Sequence, residues 1–294
     1  MNKEEKQKII RAGKIASQVR EFTKTIIKKN VPLLKIAEKI EDKIVELGGK
    51  PAFPVNLSMN EIAAHYTPAH DDQTLASGLL KIDLGVHIDG WTADTAFSMD
   101  LENSEENKKL IRASEEALEN AIKITKEKIT ASEIGKTIQE TTEANGFSPV
   151  INLSGHEMQK YELHSGLTIP NVDDNRNIKL KKGLYAIEPF ATTGSGRVHD
   201  GKPSGIYILI DEKNPRSPIA REVLELIQKE YLTLPFCSRW VVKKLGTKAM
   251  FGLRMLEENG NLHHFSQLVE TPNSKVSQAE HTILIDDEII VTTI

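Results

Sequence analysis

One cysteine, Cys237, is all the chain carries, so no intramolecular disulfide can form and a reducing compartment is expected. Nor does it hold an unbroken apolar run of roughly 18 residues, the least that spans a bilayer as a helix. The first residues, Met1 to Lys8, are polar with no apolar stretch behind them, and no secretory signal is expected. A basic excess is also missing. The chain has 38 Lys and Arg against 42 Asp and Glu, a net charge of −4, which argues against nucleic-acid binding as the purpose of the whole chain. These absences leave a cytoplasmic globular protein. Its 294 residues, 39% hydrophobic and 27% charged, suffice for one large domain or two ordinary ones with a sizeable core.

What the chain does have is a pair of carboxylates on one face of a hairpin. Residues 80–99 read as two strands joined at Asp89-Gly90, a pair that favours a two-residue type I′ turn. That turn sets Ile88 opposite Trp91, and paired positions then sum to 179 throughout. Ile82, Leu84, Val86 and Ile88 share an apolar face with Phe97, Thr95, Ala93 and Trp91. The other face carries Asp83 and Asp94 as diagonal neighbours, with Cα atoms roughly 7–8 Å apart and side chains that can converge. Gly85, opposite Asp94, leaves space above the sheet. Converging carboxylates repel unless a proton or a cation lies between them, and a divalent metal ion suits hard oxygen ligands. Taken alone, two solvated strand aspartates remain the alternative.

Around the hairpin the pattern alternates between helices and strands. Helices are expected over residues 3–28, 32–47, 104–127 and 132–144, and residues 50–78, with three prolines, read mostly as loop. Strand-like segments lie near 150–153, 162–167, 183–190, 206–210, 276–285 and 288–292. The order helix, helix, strands occurs twice, a weak sign of internal duplication. Residues 215–259 break it with three short helices, followed by a strand at 262–269, and resemble a small winged-helix insertion. Arg239, Lys243, Lys244, Lys248 and Arg254 on those helices form either a nucleic-acid or ribosome surface or, as the favoured reading, a solvated helical face.

Three further polar residues interrupt apolar strands: His156 in Ser154-Gly155-His156, Glu188 in Leu184 to Phe190, and Glu280 in Ser277 to Ile285. A buried ionised carboxylate needs a partner. Singly, His156 reads equally as a loop histidine, Glu188 as a cap or a partner for lysine, and Glu280 as solvent-facing. Together, these residues fall in stretches that carry a resemblance: Ala63 to Pro68, Lys81 to Gly85 with Asp94 to Phe97, Gly155-His156 with His164 to Gly166, Ala186 to Phe190, and Glu280 to Ile283. From about residue 3 to its end the chain resembles a type II methionine aminopeptidase in the compact, archaeal-like form.

The resemblance implies an α+β pita-bread fold, in which a pseudo-two-fold curved antiparallel sheet is flanked by helices. It implies a catalytic domain of residues 1–198 and 265–294 and a winged-helix-like insertion subdomain at 199–264. The implied activity is removal of the initiator methionine from nascent proteins and peptides, by attack of a water bridging two divalent ions. Asp83 would chelate one ion, Asp94 and Glu280 would bridge, and His156 and Glu188 would bind the other. Glu188 would also shuttle the proton, and His164 would hydrogen-bond the scissile carbonyl. His65 would contact substrate at the pocket edge, where the family's electrophile-sensitive histidine lies. Phe53 matches a pocket position, although its residue type fits plain core packing equally. The metal is Co, Mn, Fe or Zn, undecided by these ligand types. Implied partners are a Met-initiated peptide or nascent chain and a transient ribosome contact, with no membrane and a monomeric chain.

The chain departs from the family in two places. Glu157-Met158-Gln159 follows His156 where many relatives have a small residue, an apolar residue and glycine. Gly205-Ile206-Tyr207 stands where many animal relatives place a further pocket histidine, so a more apolar pocket is expected. His87 and His281 lie near the motifs and read as structural. An aminopeptidase P or prolidase would share the five ligands but usually carries a separate N-terminal domain, and only about 80 residues precede Asp83. A non-enzymatic binding member of the fold would lack ligands that are all present here.

Overall fold

The computed structural model describes residues 1–294. Helix α1, Lys3–Ile26, opens on Asn2, whose side chain accepts from the Glu5 N–H while the Glu5 carboxylate accepts from the Asn2 N–H. Its stripe of Ile9, Ala12, Ile15, Ala16, Val19 and Thr23 is buried. Helix α2, Leu33–Glu46, lays Leu33, Ile36, Ala37, Ile40 and Ile44 beside it. Both cover one face of the hairpin. Leu79–Ile88 pairs with Trp91–Asp100 in the expected register, with Asp83 opposite Ala96 and Gly85 opposite Asp94. Asp89 and Gly90 have φ of 49° and 85°, as a type I′ turn requires. Ile82, Leu84, Val86, Ala93 and Phe97 join the largest apolar cluster with α1 and α2. Truncating one such side chain, Leu84→Ala for example, costs about 2–5 kcal/mol. Trp91 packs instead near Ile9, Ala52 and Phe53.

The second round has the same design. Helices α3, Glu105–Ile124, and α4, Ala131–Ala144, are capped by Ser104 and Thr130. They cover a five-stranded antiparallel sheet ordered Ile289–Val291, His281–Ile285, Gly183–Ile187, Ser154–Met158, Thr168–Pro170. The two halves are stitched along the strand Trp91–Asp100. Thr282 Oγ1 accepts from the Asp94 N–H at 2.7 Å and donates to the Asp94 carbonyl at 2.8 Å. Thr95 Oγ1 donates to the Glu280 carbonyl, and the Glu280 N–H donates to the Ala96 carbonyl. The result is one curved antiparallel surface with helix pairs behind each half, and it brings Asp94 and Glu280 side by side.

Several segments differ from the sequence reading. Residues 50–78 contain short strands at Lys50–Pro51, Asn56–Met59 and Ile62–Ala64, because the prolines flank the paired residues or sit at an edge. Residues 162–167 are not a strand: Leu163 turns into an apolar cluster, Gly166 takes φ +82°, and the Ser165 N–H donates to the Glu157 carbonyl. Pro189 divides 183–190 into two strands, Gly183–Ile187 and Phe190–Thr192.

Helices α5, Pro218–Glu230, α6, Ser238–Leu245, and α7, Ala249–Glu258, pack on His199–Leu209 and Leu262–Val269 around their own apolar cluster, which includes Val223, Phe236, Val241 and Leu253. Arg239 does not belong to their surface. It is buried and paired with Glu41 of α2, because α6 points its first turn into the body of the molecule. Lys244, Lys248 and Arg254 are exposed and paired with Glu230, Glu222 and Glu258, as a solvated face requires. No helix is long and apolar enough to cross a membrane.

Candidate metal centre

The four acids and one imidazole marked in the sequence as ligands line one cavity of about 290 Å³. Asp83 and Asp94 descend from the hairpin, His156 from Ser154–Met158, Glu188 from the break after Gly183–Ile187, and Glu280 from the segment preceding His281–Ile285. Ligand atoms of Asp94, His156 and Glu280 lie within 4.8 Å of one another. His156 Nε2 is 3.6 Å from Asp94 Oδ2 and 3.8 Å from Glu188 Oε1. Asp83 adjoins this group through the Asp94 carboxyl.

The electrostatics are one-sided. Four carboxyls line the cavity, and no lysine or arginine does. Burial, with the neighbouring acids adding to it, pushes Asp94, Glu188 and Glu280 well above the usual carboxylate range. Burial pushes Asp83 up to about 7. Asp83 Oδ1, Asp94 Oδ1, Glu280 Oε2 and His156 Nδ1 are buried without a hydrogen-bond partner. Native interiors rarely orphan so many polar atoms at one place. Lys81, buried on the same strand, is spent on the carbonyls of Asn60 and Val276. Oxygen-rich donors with one imidazole, converging and uncompensated, fit divalent cations.

Residues 7–287 match Metallopeptidase family M24. Methionine aminopeptidase of Pyrococcus abyssi is 47% identical over 292 residues, covering 97% of this chain and 98% of that protein. The chain belongs to family M24, among its methionine aminopeptidases. The corresponding protein of Methanocaldococcus jannaschii is 47% identical over 284 residues, covering 96% of this chain and 95% of the relative. The crystal structure of a methionine aminopeptidase from Thermotoga maritima superposes with a TM-score of 0.72 over 100% of this chain and 98% of that one; at 22% identity this shows the shared pita-bread fold.

Above the acids, the M24 chain arranges three histidines. The His164 ring stands edge-on to His156 with centroids 4.3 Å apart. Burial, then the nearby His65, holds His164 down to about 4, so it is neutral at pH 7 and can offer an N–H. His65 Nδ1 lies 3.2 Å from the Ser266 carbonyl. A carbonyl only accepts, so Nδ1 carries the proton and Nε2 keeps its lone pair. Phe53, Leu153, Leu163, Ile206, Phe265 and Leu268 supply the apolar walls. The space above Gly85 belongs to Phe53: a Cβ on Gly85 would stand 2.3 Å from the Phe53 ring. Ile206 occupies the wall where a histidine is lacking. After His156, Glu157 to Gln159 form an ordered strand end, with Met158 buried and Gln159 bridged to Glu162.

Sequence reading missed Gln278. Its side-chain amide donates to Glu188 at 3.5 Å. The signal was period two: Gln278 lies two residues before Glu280. His87 and His281 stand outside the cavity. His87 Nδ1 accepts from the Gly90 N–H, and His281 sits between Arg20 and Thr293.

Proposed function

We propose that this chain removes N-terminal methionine from peptides and nascent proteins, using two divalent ions held by Asp83, Asp94, His156, Glu188 and Glu280. The observation that supports it best is the set of four converging carboxyls, with no lysine or arginine among the residues that line the cavity, beside apolar walls that leave room for a side chain. When bound, such ions lower the pKa of a water and polarise the scissile carbonyl. Every other role falls to the chain. Glu188, which lines the cavity, takes the proton from the attacking water and passes it to the leaving amine. Neutral His164 donates to the carbonyl oxygen as charge develops there. His65 borders the substrate backbone. Phe53 and its apolar neighbours take the methionine side chain, since a flexible thioether suits such walls.

All five ligands come from one chain, so a monomer suffices. We assign the ions to the set Co, Mn, Fe and Zn, the catalytic body to residues 1–198 and 265–294, and the insertion to 199–264. A substrate that is a newly made amino terminus places the work in the cytoplasm. The test is methionine release from Met-Gly-Met-Met by metal-stripped protein given Co or Mn, with an Xaa-Pro dipeptide alongside. Metal-dependent release of methionine is expected. Cleavage of the Xaa-Pro peptide alone would turn the reading to prolidase, and no cleavage by folded protein would turn it to a binding role.

A further inference from the structure

Outside the metal centre a buried ion pair, Arg239–Glu41, joins the helices α6 and α2. Arg239 donates to both Glu41 oxygens, at 2.6 and 2.8 Å. Its Nε donates to the Pro68 carbonyl at 3.0 Å, and its second amino group also reaches Thr67 Oγ1 at 3.3 Å. Glu41 accepts in addition from Trp240 Nε1 at 2.8 Å and from the Val55 N–H at 3.4 Å. Thr67 Oγ1 closes the ring by donating to the Val55 carbonyl. The pair therefore grips both legs of the segment 55–68, at Val55 and at Thr67-Pro68. Inside that segment lies His65, and just before it Phe53.

That segment needs a grip. His65 has φ +65°, a left-handed conformation that a non-glycine residue keeps only when its surroundings over-determine it. The strand Ile62–Ala64 holds it on one side by pairing with Leu268 and Val269. On the other side the strand Asn56–Met59 holds Tyr66, through the Leu57 N–H to the Tyr66 carbonyl and the Tyr66 N–H to Ser58 Oγ, and Arg239 adds its bonds at the next two residues, Thr67 and Pro68. Four donors in a fixed plane are what only arginine offers. The five metal ligands hang on the curved sheet and its stitching, and the segment meets that sheet where Asn56–Met59 pairs with the Asp83 strand, away from the Thr67-Pro68 leg that Arg239 bonds.

We propose that the Arg239–Glu41 pair is a positioning device through which the helical insertion sets the stance of Phe53 and His65, and so the fit for the methionine side chain. This rests on the methionine-removal reading for its kinetic consequence alone. The test compares metal-loaded wild type with the apolar double variant Glu41→Leu/Arg239→Met and with Arg239→Lys. The double replacement leaves no unpaired buried charge, so the fold is retained. Three readouts are taken: KM and kcat on methionyl and leucyl peptides, Mn binding, and the His65 Nδ1–H resonance by NMR. In the double variant KM for the methionyl peptide is expected to rise about tenfold and preference over leucine to shrink, with kcat within about threefold. Mn binding stays unchanged, and the His65 resonance loses its protection from exchange. Arg239→Lys, which keeps the charge but not the fork, gives the same changes at smaller amplitude and serves if the double variant does not fold. Unchanged KM, preference and His65 resonance in folded variants would overturn the proposal, as would loss of Mn binding. If wild type released no methionine, the peptidase reading would fall, and the His65 resonance would still decide the positioning role.

Discussion

The Glu41–Arg239 pair and the group of acids in the cavity are both clusters of charged side chains inside the molecule, and they differ in one respect. Glu41 and Arg239 form a closed account: the carboxylate meets a guanidinium and two further N–H groups, and the guanidinium finds carbonyl and hydroxyl partners besides. Asp83, Asp94, Glu188 and Glu280 form an open one, with orphaned oxygens and no cation on the cavity wall. A buried charge that is satisfied from within the chain holds parts together. A buried charge that is left unsatisfied marks where something else must bind.

The sharpest way to break the comparison is to remove a charge from each cluster. Asp94→Asn removes a proposed ligand, and methionine release should fall about 10³-fold or more, about 4 kcal/mol of barrier. The metal-free variant should meanwhile unfold at a higher temperature than metal-free wild type, because one repelling acid is gone. Arg239→Met does the reverse. It strands Glu41 and should destabilise by about 3–5 kcal/mol, with calorimetric Tm lower by about 5–10 °C. If Asp94→Asn destabilised the metal-free fold and Arg239→Met did not, the distinction between open and closed clusters would collapse.

A pH series sharpens it further. In the metal-free protein Asp83 titrates near 7 against an ordinary 3.8, so the folded state holds a proton the unfolded chain has released. Stability should therefore fall as pH rises from about 4 to about 7, and Mn should cancel that fall, increasingly so at the upper end. Denaturant midpoints along the series, with and without Mn, measure it. The smallest effect belongs to the exposed face of α6. Charge reversal at Lys243 and Lys244 should change stability by less than about 0.5 kcal/mol and leave peptide cleavage intact. Loss of ribosome co-sedimentation in that variant would establish the transient contact, and unchanged binding would dismiss this face as its site.

The open cluster was legible in part: Glu188 and Glu280 stood out as acids in apolar segments, but each alone also read as a cap or as solvent-facing, and it was the resemblance that joined them to Asp83, Asp94 and His156. The Asp-Gly turn fixed the register, and with it the convergence of Asp83 and Asp94. Segments whose backbone partners are distant were not legible. Residues 162–167 look extended in composition, yet Gly166 and the turn of Leu163 into the core decide their path. Glu41 reads as one more charge on an amphipathic helix, and Arg239 as one more cation on a basic one. Only tertiary packing brings them together, 198 positions apart. Gln278 was legible in principle, by its spacing from Glu280.

The central claim is that the four converging acids require cations. Titrating Mn into metal-stripped protein at pH 7, while counting bound ions and following Tm, tests it most directly. The account predicts two ions per chain and a Tm raised by several degrees, as ligation of the folded state alone requires. Folded protein that binds no ion, or whose Tm ignores Mn, would contradict it.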